Sequence, residues 1–309
     1  MLSVQLLKKS IWSLTLLFGL ITGSFLLFNV IPNDPARIML GPNASEEAVE
    51  LLRRDLELDH PLSDQWFKHI KKLANFDLGR SIIDGKRVDK EIIDKFLITA
   101  QIGGLAVCLA LLISYLINFI VFIYPSLRIL IKLTSLGVVV PTFFSGIITA
   151  LFLGVWMPII SLTGYGSKNN STYILPSIIA ALYPTALMTK VLFEKITSAA
   201  TSDYSKAARS FGFSKPHIFH RVLLRPVAVP WLATWLNQIS IVFVASFIIE
   251  VIFTIPGVGS LLLTTIQNRD FPILQGIVLV NAIFFITLFW LGDIIFTFID
   301  PRLRLNAEE

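Results

Sequence analysis

The chain has 309 residues, 54% hydrophobic and only 15% charged, with a mean hydropathy of +0.73 and a formal net charge of +5. A soluble domain carries about 25% charged residues, so this composition excludes an ordinary cytosolic enzyme. The single cysteine, Cys108, excludes an intrachain disulfide scaffold. Its basic residues border apolar runs, so the pI near 9.3 reads as membrane topology rather than nucleic-acid binding.

A membrane-crossing helix needs about 20 mostly apolar residues, and six stretches qualify in chain order. They are residues 11–31, 96–124, 133–163, 169–189 (interrupted by Pro176 and Pro184), 226–249 and 271–299, the last holding Asp293. Residues 251–267 are also uncharged, but Pro256-Gly257-Val258-Gly259 breaks them, so they read as a re-entrant or extracytoplasmic segment. Lys8-Lys9 precede the first span as they would a signal peptide. That span is too long for a signal core and lacks a small-x-small cleavage site, so it is expected to remain as an anchor.

Orientation follows the excess of Lys and Arg in short cytoplasmic loops. With the N-terminus inside, the inner segments carry 13 Lys/Arg, from Lys8 to Arg304, and the short outer loops carry two, Lys168 and Arg269. Both termini are expected in the cytoplasm. The first ten residues then form a short cytoplasmic start. Residues 32–95 form an outer loop domain with 11 basic and 13 acidic residues. Residues 96–309 form the main membrane core.

The outer loop carries helical patterning. Ser45 is placed to cap a helix with Glu46 and Glu47 in its first turn, where the helix dipole favours acids. Ala48, Leu51, Leu52 and Leu56 follow as its expected apolar face. A second helix from Leu62 or Ser63 has Trp66, Ile70 and Leu73 on one side, and Val88, Ile92 and Phe96 lead into span two. The loop reads equally as a docking surface or as a lid joining two spans.

The inner loop 190–225 is more specific. Tyr204, Ala207, Ala208 and Phe211 form a narrow apolar stripe, with Lys206, Arg209 and Ser210 on the other side. Gly212 suits a left-handed helix stop, and Ser214 suits the start of a second helix. A basic amphipathic helix lying on the membrane surface is the competing reading.

These motifs, taken in order, resemble the permease subunits of binding-protein-dependent ABC importers of the dipeptide, oligopeptide and nickel class. Asp34-Pro35-Ala36-Arg37 with Leu40-Gly41-Pro42 resembles the opening of that family's outer loop. Residues 56–62 resemble its G-L-D-x-P-L run, with Glu57 where glycine is usual. Phe76-Asp77-Leu78-Gly79-Arg80-Ser81 resembles G-D-L-G-x-S. Asp203-Tyr204 through Ala207-Ala208-Arg209 and Gly212 resembles the D-Y-x-x-x-A-R-x-x-G coupling loop, with Lys206 standing where the general importer loop E-A-A-x-x-x-G has Glu, as basic or polar residues often do in this subclass, and Phe211 where the subclass usually has Lys. Glu250, Phe253, Pro256, Gly257 and Gly259 match E-x-x-F-x-x-P-G-x-G. Asn268-Arg269-Asp270 matches N-R-D, and Asp300-Pro301-Arg302-Leu303-Arg304 the C-terminal D-P-R-x-R.

The resemblance implies an all-α, six-span type I importer permease of the B type, in a bacterial inner membrane. Its implied partners are a second permease subunit, two cytoplasmic ATPases and an extracytoplasmic solute-binding protein, within membrane lipid and without nucleic acid. Asp203, Tyr204, Ala207, Ala208, Arg209, Phe211 and Gly212 would contact the ATPases, and Trp66 would belong to the binding-protein surface. The chain has no G-x-x-x-x-G-K-[ST] phosphate cradle. ATP and Mg²⁺ would therefore belong to the partner ATPases, and this chain would hold no cofactor and perform no catalysis.

His217 and His220 lack nearby acids or cysteines and are read as solvated loop residues rather than metal ligands, and His60 and His69 as surface residues. Asp293 is read as an intramembrane cap or interhelical hydrogen-bonding group, and Glu250 as facing the outer interface. The rival classes are an ion-coupled secondary transporter, which needs paired intramembrane acids or an inverted repeat, and a membrane-embedded enzyme, which needs a polar catalytic cluster. Neither pattern is present.

Overall fold

The computed structural model describes residues 2–30, 35–41, 44–55, 57–157 and 173–299. Asp34, Pro42, Leu56, Lys168 and the D-P-R-x-R segment lie outside the described residues, as does the side chain of Asp293. Among those described the chain is helical: α1 Leu2–Val30, α2 Pro35–Leu40, α3 Glu46–Asp55, α4 Leu62–Ala74, α5 Val88–Ile123, α6 Ile129–Val139, α7 Thr142–Ala150, α8 Ile174–Ala200, α9 Asp203–Ser210, α10 Lys215–His217, α11 Leu224–Ile252, α12 Val258–Asn268 and α13 Phe271–Ile299. Four helical stretches are long and apolar enough to cross a bilayer: α5, α8, Lys215–Ile252 and Phe271–Gly292. A fifth candidate is a bent pair, Pro125–Val139 with Thr142–Trp156.

That pair covers most of the span expected at 133–163 and is sharply bent. Its two arms meet at 95°. Pro141 disfavours helical geometry at Val140, which is extended (ψ 119°), and lacks the N–H that would continue α6. By contrast α8 runs through Pro184 without ending, and α11 through Pro230. Residues 251–267 do not form a span: α12 is an 11-residue helix.

By its contacts the chain forms two units. The first comprises Met1–Leu97 and Leu261–Leu291; the second comprises Ile98–Ser260 and Gly292–Glu309. Residues 261–291, which sequence patterning puts with the membrane core, thus pack with the outer-loop helices.

In the first unit, Ser45 caps α3 as expected, its Oγ accepting the Ala48 N–H at 3.3 Å. The buried face of α3 differs from the expectation. Val49 is its buried residue while Leu51 is 64% exposed. The pattern i, i+3, i+4 fits two adjacent faces on so short a helix, and α2, which packs against α3, selects the one holding Val49. In α4 the Trp66 ring meets Phe18 of α1 edge-on at 5.7 Å. Gly276 of α13 leaves room for α5: a Cβ there would lie 2.6 Å from Val88 and Ile92. Trp290 Nε1 donates to Ser10 Oγ at 3.2 Å, tying α13 to α1.

In the second unit, α8 packs between α6 and α11. Gly137 permits the α6 approach, since a Cβ would sit 2.8 Å from the Leu182 carbonyl oxygen. Asn118 is buried and donates to the Thr189 carbonyl at 3.1 Å, joining α5 to α8. Trp235 Nε1 donates to the Val107 carbonyl at 3.0 Å, joining α11 to α5. A π-helical stretch, Ile218–Leu223, carries α10 into α11 and buries Phe219 under Tyr115, Phe119 and Phe122.

Candidate coupling helix and motif turns

The loop singled out by sequence folds as α9. Its stop is a Schellman arrangement: Phe213 N–H donates to the Ala208 carbonyl (3.3 Å), and Gly212 N–H to that of Arg209 (2.9 Å). Gly212 sits at φ +76°, in the left-handed region that a side chain resists. Asp203 pairs with Lys206 at 3.0 Å on the exposed side, and Arg209 Nη2 donates to the Ala200 carbonyl at 3.3 Å. Ser214 occupies the N-cap position just before α10, but its side chain makes no capping hydrogen bond.

The apolar stripe divides between two faces. Ser205 and Ala208 are buried against the chain's own core, where Ala208 joins Met188, Leu192, Phe219 and Leu223. Tyr204, Ala207 and Phe211 are exposed, Phe211 at 80%. Ala208 therefore seats α9 on this chain. Its partner in that seat, Ser205, was not singled out by the sequence, because a serine among charged residues looks solvated. The exposed face joins an aromatic pair and one small residue to Lys206 and Asp203.

The E-x-x-F-x-x-P-G-x-G motif is a reversal of the chain in which each named residue has a physical task. Glu250 is fully buried and does not face the outer interface. Its Oε2 accepts the Gly259 N–H at 2.6 Å, in the first turn of α12, and Thr99 also hydrogen-bonds its side chain. Thr99 Oγ1 in turn accepts the Val258 N–H at 2.9 Å. The unpaired N–H groups that begin α12 are thus met by a side chain of α11 and one of α5. Phe253 is buried in the core. A Cβ on Gly257 would lie 2.3 Å from the Glu250 carboxyl carbon, and one on Gly259 would lie 2.3 Å from Phe247 backbone atoms.

The G-D-L-G-x-S and N-R-D motifs meet one another. Buried Asp270, just before α13, accepts Ser81 Oγ–H at 2.5 Å and the Ile82 N–H at 3.3 Å. Ser81 Oγ also accepts the N–H groups of Ile83 (3.1 Å) and Asp84 (3.2 Å). Lys86 beside Asp84, at 2.8 Å, holds the Asp84 carboxyl down at about 2. One acid thereby fixes the 81–86 turn onto the start of α13. Glu57, standing where the family pattern has glycine, lies at φ +56°.

Trp66 is half-buried against α1, while Phe67 beside it is exposed. His69 is not a free surface residue: its ring packs 5.6 Å from that of Phe25, and its Nε2 lies 3.1 Å from Gln275 Nε2. Burial pushes its pKa below the ordinary imidazole value, with the nearby Lys72 charge adding to the shift. His220 bonds the Tyr115 hydroxyl at 2.9 Å and stacks on Phe119, while His217 stacks on Phe213. Among the described residues no cluster of three metal-ligating side chains occurs.

Residues 126–305 match the family described as "Binding-protein-dependent transport system inner membrane component", and residues 1–103 match its N-terminal counterpart. The chain belongs to this family. It is similar to a protein of Brucella melitensis biotype 1 named for peptide transport permease function, 28% identical over 99% of this chain and 100% of the relative. It is 27% identical to the glutathione transport system permease protein GsiC of Escherichia coli O6:H1, over 91% and 92% of the two chains. A Brucella abortus protein named for peptide transport is 30% identical over 92% and 93%. The chain is a multi-pass permease of the bacterial inner membrane for an ABC importer, and the ATP chemistry resides in separate subunits.

Proposed function

We propose that the chain is one half of a heteromeric pore importing peptides or a related small solute such as glutathione, delivered by an extracytoplasmic binding protein. In this reading it has six spans: α1, α5, the bent α6–α7 pair, α8, α11 and α13. Both termini and α9 are cytoplasmic, as the Lys/Arg bias supports. A second, similar permease completes the pore. ATP and Mg²⁺ bind two ATPases, whose closure presses on the exposed side of α9.

The observation that carries the proposal is the two-faced α9. Tyr204, Ala207 and Phe211 are open to a partner, while Ser205 and Ala208 lock the helix onto the core shared by α8 and α11. Force on the outer face passes directly into the packed helices. A ligand shifts a conformational equilibrium only through different contacts in its two states; ATP supplies that difference by dimerising the ATPases in one state. On the opposite side of the membrane, Trp66 fixes α4 to α1, so that Phe67 and Lys68 beside it present the docking surface for the binding protein.

The test is a pair of tryptophan substitutions. Ala207→Trp adds bulk on the exposed face and is expected to abolish uptake and binding-protein-stimulated ATP hydrolysis at normal expression and melting temperature. Ala208→Trp is expected to lower the melting temperature of the permease itself, because its bulk enters this chain's core. Full uptake by Ala207→Trp would remove α9 from the ATPase contact. Cysteine labelling at position 206 from the extracytoplasmic side alone would overturn the orientation.

A further inference from the structure

Behind α9 lies a cleft of about 520 Å³. Phe122 of α5 and Phe193 and Ile196 of α8 give it an apolar side. Arg128, Arg209 and Lys215 give it three cations, and no Asp or Glu lines it. Among the described residues none of the three forms an ion pair with a carboxylate. Lys215 Nζ is held by the Ile123 carbonyl at 3.2 Å, and Arg209 by that of Ala200, the last residues of α5 and α8. These carbonyls carry the negative ends of the helix dipoles, but each is only a partial charge. Buried Asn118 also lines the cleft, and its Oδ1 has no hydrogen-bond donor among the described residues.

We propose that this cleft binds the headgroup of an anionic phospholipid bearing a free hydroxyl, of the phosphatidylglycerol type. The phosphate meets the three cations, the acyl chains lie along the aromatic and aliphatic wall, and the headgroup hydroxyl donates to Asn118 Oδ1. Charge complementarity and the apolar wall together select this occupant. A free inorganic anion has no use for the aromatic and aliphatic side, and a neutral zwitterionic lipid would set its own cation among three others. Basic pockets at the membrane surface favour anionic headgroups by an increment set by each Lys or Arg. Since Arg209 belongs to both α9 and the cleft, the bound lipid stiffens the seat of the coupling helix. The choice of leaflet rests on the cytoplasmic placement of 190–225 proposed above.

The experiment is native mass spectrometry of the complete transporter complex, extracted in mild detergent and exposed to mixed phosphatidylglycerol and phosphatidylcholine. The wild-type complex is expected to retain phosphatidylglycerol preferentially. Arg128→Gln and Lys215→Gln are each expected to cut that preference about fivefold, and the double variant roughly twenty-fivefold. Arg128→Lys with Lys215→Arg keeps the charges and is expected to keep the preference, which separates charge from misfolding. Equal retention of the two lipids, or a preference untouched by the double Gln variant, would overturn the proposal. So would displacement of the lipid by millimolar inorganic phosphate, which marks a free-anion site. Retention only after the ATPases have been stripped away would also overturn it, because the cleft would then be a protein contact. The measurement in detergent is blind to membrane sidedness. Failure here therefore leaves the coupling reading standing, and failure of the cysteine-labelling test leaves this result standing.

Discussion

Gly259→Ala adds one methyl group, and the surroundings of that methyl set its effect. The new Cβ would lie 2.3 Å from Phe247 Cα, 2.3 Å from its carbonyl oxygen and 2.7 Å from its carbonyl carbon, against an ordinary contact range of 3.4–4 Å. All three atoms are backbone inside α11, so no rotamer change relieves the clash, and the start of α12 must move by about 1 Å. That movement pulls the Gly259 N–H from Glu250 Oε2, now 2.6 Å away, and Glu250 is fully buried. Overpacking costs about 1–3 kcal/mol, and a buried group losing its partner about 1–3 kcal/mol more. The sum, about 2–6 kcal/mol, is a large part of a typical folding free energy of about 5–15 kcal/mol.

The control is Gly212→Ala. No atom lies within 4 Å of its Cβ, but its φ is +76°, so it bears only conformational strain of about 1–2 kcal/mol, at the end of a surface helix. Melting of the purified complex, followed by tryptophan fluorescence, should rank Gly259→Ala far below Gly212→Ala. Glu250→Ala should fall near Gly259→Ala because it orphans the same N–H. Glu250→Gln should fall between it and wild type because its carbonyl still accepts. A Gly259→Ala protein melting with the wild type would refute the argument that this glycine exists for close backbone approach.

Three further outcomes follow from the same contacts. Thr254, a β-branched residue at φ +51°, carries strain that glycine would relieve; Thr254→Gly should stabilise the fold by up to about 1 kcal/mol once the freer unfolded chain is counted, read as a higher melting point. Asp270→Ala should leave Ser81 Oγ–H and the Ile82 N–H without their acceptor, at about 1–3 kcal/mol each, and limited proteolysis should then cut the 77–87 turn faster, with Asp270→Asn intermediate. His69 has its pKa lowered on folding. The unfolded chain therefore takes up the proton first, and the packing of α4 is fully stable above pH 6.5 and weakens as pH falls from 6.5 toward the folded pKa. Amide exchange in α4 should accelerate over that window in wild type and not in His69→Gln.

Local chemistry made parts of this structure readable in advance. Gly212 after a short helix, Ser45 before two glutamates, and Pro256-Gly257 after a long apolar run each act within a few residues, and each stands where its physics requires. The family motifs also placed the Glu250 turn. What stayed hidden depended on partners far along the chain. Ala207 and Ala208 are chemically alike, and only the packing of α9 beneath Leu192 and Phe219 makes one an anchor and the other a surface. The 95° elbow depended on whether Pro141 would bend a span, as it does, or be absorbed, as Pro184 is within α8.

Glu250 shows why an acid in an apolar run is ambiguous. At the end of an apparent span it satisfies the positional expectation for a group reaching to the interface. Its nine-residue separation from Gly259 matches no helical face, because the chain reverses between them. Yet the two motif glycines encode the answer: Gly257 lacks a side chain because the carboxyl occupies that space, and Gly259 because Phe247 backbone does. Neither is among the glycines with positive φ, so backbone freedom does not explain them. Of the positive-φ positions held by other residues, Glu57 stands where the family pattern has glycine, while Phe76, Thr254 and Arg269 give no sign of it in the sequence. Glycine in this chain therefore marks two distinct needs. At Gly212 it supplies a dihedral angle, and at Gly257 and Gly259 it supplies volume. Only the first can be read from neighbouring residues, since the second is set by what the fold brings against it.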